Sequence, residues 1–219
     1  MFGPDRALLV SATGRGFRHR EARRPYVPPV TRVTLGIGAI AASLVPLRRD
    51  TVGHREAAVF RAVNGLPDEL YAPAWAVMQL GTVGAAPAAA GVALLAGERR
   101  LARRLLVGGV GAWAGSKVLK RLAQRPRPVQ LIPQTNIRGQ EASGLGYPSG
   151  HAGVATALGV AVFPYLGRRG RIAVAAAIPT VGFTRMYVGA HLPLDIVSGA
   201  ALGLAIDALV EWGGDRRRK

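Results

Sequence analysis

Residues 70–97 read LYAPAWAVMQLGTVGAAPAAAGVALLAG, a run without a single Asp, Glu, Lys or Arg, and directly after it stand Arg99, Arg100, Arg103 and Arg104. About 20 apolar helical residues cross the hydrocarbon of a bilayer, where the backbone must satisfy its own hydrogen bonds. The run is too long for one untilted crossing, and Gly81, Gly84 and Pro87 offer a break between a short helix and a crossing. Working outward, Val33 to Leu47 is bracketed by Arg32 and Arg48; being short, it is expected to extend back into Tyr26 to Thr31 or to tilt little. Leu101 to Leu122, His151 to Leu166, Ile172 to Val188 and Pro193 to Trp212 complete six expected crossings, hence an all-α, six-helix transmembrane bundle. From His54 to Val63, apolar Ala57, Ala58, Phe60 and Val63 interleave with Arg55, Glu56 and Arg61. That pattern reads as a helix lying along the membrane interface and ended by Asn64-Gly65. Gly111 with Gly115 and Gly199 with Gly203 recur at helical spacing. They fit close helix approach, or merely an Ala/Gly-rich composition.

The 219 residues suit one domain, and 49% of them are apolar although the net charge is +17. The division expected is an Arg-rich, disordered cytoplasmic tail over 1–32, a membrane domain over 33–213 and a basic tail over 214–219. The apolar patch Ala7 to Val10 is too short for the core of a secretory signal. So much Lys and Arg would suit nucleic-acid phosphates, but here the arginines flank apolar runs, with no aromatic recognition module or zinc spacing. Membrane lipids, and not nucleic acid, are the expected partners. Cysteine is absent, which removes disulfides, thiol nucleophiles and Cys-ligated metals. Basic residues put the N-terminal tail, Arg99 to Arg104, Arg168 to Arg171 and Arg216 to Lys219 on the cytoplasmic side. The stretch with Arg48, Arg49 and Arg55 and the loop from Lys120 to Arg138 are then basic on the outer side. Asp207, inside the last apolar run, reads as a helix-end residue near the cytoplasmic face.

Three patches carry chemistry. The third crossing ends in Lys120-Arg121-Leu122-Ala123-Gln124-Arg125-Pro126-Arg127-Pro128, a cation cluster that alone means only interfacial anchoring. Pro148-Ser149-Gly150-His151 opens the fourth: Ser149 is a helix cap, Gly150 lets a ligand approach the backbone, and the first-turn N–H groups favour an anion. Alone, it is an ordinary helix start. Between the fifth and sixth lies Thr184-Arg185-Met186-Tyr187-Val188-Gly189-Ala190-His191-Leu192-Pro193-Leu194-Asp195. Pro193 suits a first helical turn, which brings Asp195 within reach of the His191 ring. A carboxylate on one imidazole nitrogen fixes the tautomer and leaves the other as nucleophile or base. Of the chain's four histidines two fall in these patches, at helix ends on one expected side, together with Lys120, Arg127 and Arg185. A pocket for a phosphoryl group, whose oxygens carry charge through the transition state, accounts for all three patches at once.

The order Lys120, Arg127-Pro128; then Pro148-Ser149-Gly150-His151; then Arg185, His191, Asp195 resembles the three-part signature of the type-2 phosphatidic acid phosphatase superfamily, the lipid phosphate phosphatases. The one departure is Thr184, where the family usually has Ser, and it keeps the hydroxyl. The resemblance implies that His191 attacks phosphorus while Asp195 orients it, and that His151 protonates the leaving lipid oxygen and later activates water. It implies that Lys120, Arg127, Ser149, Gly150 and Arg185 hold the phosphate oxygens, with no metal and no cofactor. The implied substrates are lipid phosphates such as polyprenyl diphosphate or phosphate, phosphatidic acid and phosphatidylglycerophosphate, met on the outer face of a plasma membrane. Two rival readings are a vanadium-dependent haloperoxidase-like oxidoreductase, whose vanadate mimics phosphate, and a non-catalytic lipid-binding protein. Oligomeric state has no signal in the sequence.

Overall fold

The computed structural model describes residues 27–49 and 51–216. Most of the expected N-terminal tail, and the last three residues of the C-terminal one, lie outside the described residues. The elements are α1 (Pro29–Leu44), α2 (His54–Asn64), α3 (Tyr71–Met78), α4 (Ala85–Leu95), α5 (Arg99–Ala123), α6 (Pro128–Leu131), α7 (Gly150–Val162), α8 (Arg168–Tyr187) and α9 (Pro193–Arg216), with no strand among the described residues. The all-α expectation holds.

Local chemistry sets several boundaries. Pro29, Pro128 and Pro193 open α1, α6 and α9, where a missing N–H costs nothing and the fixed φ suits the helix. α2 stops at Gly65, as the Asn64-Gly65 pair predicts. α5 ends when Gln124 turns left-handed at φ 47°, which throws Arg125 to Pro128 back over the helix end. The uncharged run breaks between Gly81 and Gly84, where the α3 segment and α4 meet at 67°.

α7 lies at the centre, packed by α5, α8 and α9, while α1 lies along α9 and α4 along α5. The core is built largely of small residues: Ala86, Ala90, Ala93, Ala102 and Ala161 surround Leu101, Leu105, Val154 and Leu158. A Cβ on Gly199 would strike the Ser149 carbonyl, and one on Gly203 the Gly153 carbonyl. These two glycines therefore let α9 close on α7 and are more than a composition effect. Gly115 is different, because a Cβ there would meet Leu202 at an ordinary 3.5 Å.

Large apolar side chains are exposed along the helices, and some ionic groups are buried within the bundle. Leu35, Ile37, Val92, Leu122 and Ile172 are exposed, and Leu95 is 92% exposed. By length and composition one helix among the described residues is apolar enough to cross a membrane, over Pro193–Gly214, or two if the bent α3 and α4 pair forms one span. The six crossings expected are thus not all reached by that measure. α1 has only 16 residues, and α5 and α8 carry arginines within their first turns.

Two readings need correction. The tail boundary at residue 32 falls inside α1, where Arg32 is buried. Asp207 is no helix-end residue: it lies within α9 and is completely buried. Arg32 Nη1 donates to Asp207 Oδ2 at 2.7 Å, Arg104 Nε to Oδ1 at 2.6 Å, and Glu211 pairs with both arginines. The network ties α1 and the start of α5 to the end of α9, so Asp207 tolerates burial because two guanidinium groups hold it.

Candidate active site

The opposite end of the bundle collects the three sequence patches. Lys120 and Arg127 come from the close of α5 and the segment after it, Ser149, Gly150 and His151 from the start of α7, Arg185 from the end of α8, and His191 and Asp195 from the α8–α9 junction. All eight expected site residues therefore meet at one end.

The junction owes its shape to the backbone. The Ala190 and His191 N–H groups both donate to the Arg185 carbonyl, at 3.0 and 3.2 Å, and Gly189 takes φ 76°, which a side chain would strain. His191 is thereby folded under the end of α8, with only 3% of its surface exposed. Asp195, one turn on, faces its ring: Nδ1 lies 3.4 Å from Oδ2, a long contact of the kind that tightens when substrate binds. Oδ2 also accepts from the Leu192 N–H at 2.9 Å. With Nδ1 turned to Asp195, Nε2 faces the site, 3.5 Å from Arg127 Nη1. Burial, then the charges of Arg185, Lys120 and Arg127, hold the His191 pKa well below the ordinary imidazole value. That favours a neutral ring, whose Nε2 lone pair then faces Arg127 and the site.

The cations around it are partly buried and, among the described residues, none is paired with a carboxylate. Lys120 Nζ donates to the Leu145 and Gly146 carbonyls at 2.8 and 2.7 Å. Arg127 donates to the Ser143, Gly144 and Ala190 carbonyls. Burial lowers the Arg127 pKa below the usual arginine range, against the pull of Asp195. Arg185 is buried, its Nη1 donates to the thioether of Met78, and its buried Nε has no hydrogen-bond partner. A buried guanidinium with a free donor suits an anion.

At the start of α7, Ser149 caps the helix by accepting from the Ala152 N–H at 3.4 Å, and its own N–H donates to the Asp195 carbonyl at 2.7 Å. Ser149 is fully buried, and its hydroxyl oxygen accepts at the helix start while its O–H remains able to donate. A Cβ on Gly150 would press within 2.9 Å of the Ser116 hydroxyl, and one on Gly81 within 2.7 Å of the His151 carbonyl. The broken α3–α4 segment thus leans directly on His151.

Several residues essential to this geometry were not singled out by sequence. Arg125 donates to Asp195 Oδ1 at 2.8 Å and is chelated by Glu56 of α2. Asn64, buried, donates to the Asn136 and Tyr187 carbonyls and accepts from the Asn136 N–H. Arg138 donates to the carbonyls of Asn64, Leu66 and Tyr187 and lies over the Tyr187 ring. α2 is accordingly no bare interfacial helix, for Ala57 and Phe60 pack with Ile132 and Leu192 over the site. A signal for Glu56 did exist: it lies one turn before Phe60, hence on the buried face.

Residues 101–219 match the family model of the PAP2 superfamily, a span that holds every motif residue. The chain belongs to the PAP2 superfamily. The phosphatase class expected from the sequence stands with that membership. This PAP2 chain is 32% identical over 124 residues to the decaprenylphosphoryl-5-phosphoribose phosphatase of Mycobacterium tuberculosis, across 54% of its own length and 67% of the relative's. It is 34% identical over 128 residues to the lipid A 1-phosphatase of Rhizobium etli, covering 52% of this chain and 54% of that one. The chain thus spans about two thirds of the first and half of the second. Among solved structures it resembles LpxE of Aquifex aeolicus, with a TM-score of 0.64 and 20% identity over 71% of this chain and 94% of that one. It also resembles the transmembrane PAP2 type phosphatidylglycerolphosphate phosphatase of Bacillus subtilis, with a TM-score of 0.60 and 22% identity over 87% of this chain and 97% of that one. At those identities the likeness shows the PAP2 fold.

Proposed function

We propose that this PAP2 chain is an integral membrane phosphatase that removes phosphate from a lipid through a phosphohistidine on His191. The observation that carries the reading is the neutral, Asp195-backed imidazole set among Lys120, Arg127 and Arg185, cations with no carboxylate partner among the described residues. The three cations bind the phosphate oxygens, joined by the Gly150 N–H at the start of α7 and the Ser149 hydroxyl. His191 Nε2 attacks phosphorus as Asp195 takes up the positive charge that grows on the ring. His151 gives its proton to the departing lipid oxygen and in the second half-reaction draws a proton from the water that cleaves the phosphohistidine. The required charge neutralisation comes from side chains, so the mechanism calls for no metal.

Six crossings are proposed, with α2 capping the outer end. The Arg-rich start of α5 and the Asp207 network then lie toward the cytoplasm, and the phosphate site lies toward the outside, in line with the basic-residue rule. Outward placement favours polyprenyl phosphates and diphosphates, lipids that reach that leaflet, over phosphatidic acid and phosphatidylglycerophosphate. The mycobacterial relative's name points the same way. Phosphate release by the purified protein in detergent, measured across this panel of lipids, tests the reading. Preferred turnover of a polyprenyl substrate is expected, and release from none of the lipids would contradict it.

A further inference from the structure

We propose that Glu56 and Arg125 are positioning residues that hold Asp195 in the one orientation that serves His191, and that Glu56 keeps a full negative charge available to that imidazole. The proposal rests on the reading of His191 as the nucleophile.

The geometry divides the two Asp195 oxygens. Oδ1 accepts from Arg125 Nη1 at 2.8 Å, while Oδ2 accepts from the Leu192 N–H at 2.9 Å and faces His191 Nδ1 at 3.4 Å. The side chain is completely buried, so no water replaces either partner. Turning the carboxylate about its last bond would lose both hydrogen bonds together. Arg125 thus fixes the plane in which the carboxylate presents an oxygen to His191.

Charge gives Glu56 its part. The imidazole becomes cationic when phosphorus is bound to Nε2, amid Lys120, Arg127 and Arg185, and Asp195 is the carboxylate in contact with it. A lone Arg125 against Asp195 would draw that negative charge away. Glu56 chelates Arg125 with both oxygens, Nη1 to Oε1 at 3.0 Å and Nη2 to Oε2 at 2.7 Å. Glu56, Arg125 and Asp195 then sum to one negative charge, and it faces His191. Bidentate guanidinium pairing gives this chain a fixed direction that a lysine could not supply.

Both ends of the chain are anchored. Glu56 Oε1 also accepts from the Leu194 N–H at 3.1 Å, a first-turn donor of α9, which fixes α2 to the helix that carries Asp195. Phe60 and Leu192, both nearly inaccessible, pack beneath that contact. The Arg125 carbonyl accepts from the Gly146 N–H at 2.8 Å, and Gly146 in turn offers its carbonyl to Lys120. Arg125 and Arg127 stand two residues apart in Arg-Pro-Arg-Pro with opposite duties: one is held by carboxylates and the other is left for phosphate.

The test compares Glu56→Gln and Arg125→Lys with wild type in detergent, using a polyprenyl monophosphate in mixed micelles and following steady-state turnover, phosphoenzyme formation and thermal unfolding. Each variant is expected to lose about 10-fold to 100-fold in kcat, by analogy with outer-shell partners of metal-bound histidines, with KM changed less than about twofold. Phosphoenzyme formation should slow by the same factor, and the double variant should fall little below the worse single one, because the residues act as a unit. A kcat within about threefold of wild type in folded Glu56→Gln and Arg125→Lys protein overturns the proposal, as does a raised KM with kcat intact, which would make Arg125 a phosphate ligand. A His191→Ala control separates the two levels: if it still turns over, the nucleophile assignment fails, whatever the other variants do.

Discussion

Where the start of α5 meets the close of α9, Arg32 and Arg104 enclose Asp207 and Glu211; at the other end Lys120, Arg127 and Arg185 sit among carbonyls and a thioether with no carboxylate paired to them among the described residues. Both ends bury arginine, but at the site end Arg185 has no carboxylate paired to it among the described residues. A buried ion pair joins helices and breaks at a cost, whereas a buried cation without a partner lowers stability and is kept where an anion must be bound. The difference separates a structural clasp from a binding site without reference to any relative. Arg125 shows the same distinction within a single segment, since it is paired by Asp195 and Glu56 although Arg127 beside it is not.

Four measurements can break that comparison or sharpen it. The largest effect is expected for His191→Ala, which should abolish turnover; residual turnover close to wild type would remove His191 from the mechanism. Next come Arg127→Ala and Arg185→Met, each expected to lower kcat/KM by on the order of 100-fold to 1000-fold, as loss of a transition-state donor does. Because Arg185→Met removes a buried charge with no carboxylate beside it among the described residues, its melting temperature should stay level or rise, whereas Arg127→Ala also gives up hydrogen bonds to three carbonyls and should lower it slightly. A rate loss below about threefold, or a large fall in melting temperature, would place that arginine in the scaffold.

At the other end the signs reverse. Asp207→Ala removes the fully buried carboxylate from between Arg32 and Arg104 and leaves Glu211 to pair with both, and unfolding in detergent should reveal a loss of about 3–5 kcal/mol. The protein that remains folded should keep kcat within about twofold, since the clasp touches no substrate. Wild-type stability in this variant would mean that the network holds nothing together.

The smallest effect concerns pH. His191 is held well below its ordinary pKa by burial and the three cations, so below about pH 6.5 the unfolded chain takes up a proton that the folded one refuses. The stability this gives is present above that pH and is lost as pH falls toward the folded pKa. The melting temperature should decline between about pH 6.5 and 5, less steeply in His191→Gln, and less steeply in wild type with orthovanadate, whose charge favours the imidazolium. Equal slopes in all three would show that His191 titrates normally.

Much of this was legible in the chain itself. Lys120, Arg127, Ser149, Gly150, His151, Arg185, His191 and Asp195 fall in three patches that adjoin apolar runs of helical length, so the sequence places them at helix ends on one expected side. The paired ions were not legible. Asp207 reads as an ordinary helix-end acid because its partners Arg32 and Arg104 lie over a hundred residues away. Nothing in Arg125-Pro126-Arg127-Pro128 says which guanidinium meets a carboxylate, because Glu56 reaches it across the fold from a helix that reads as interfacial. Helix periodicity records which face is buried, but a buried charge is explained only by the partner that tertiary packing supplies. By length and composition fewer than six spans stand out among the described residues, because arginines such as Arg104 and Arg185 interrupt the apolar runs of α5 and α8.

Rapid quenching of the wild-type protein with a lipid phosphate labelled in its phosphoryl group, followed by peptide mapping, tests the central claim most directly. An acid-labile, base-stable phosphate on the peptide that contains His191, formed and discharged at rates compatible with turnover, is the result expected. Turnover with no trapped phosphoenzyme at any quench time, or label on a peptide without His191, would contradict it.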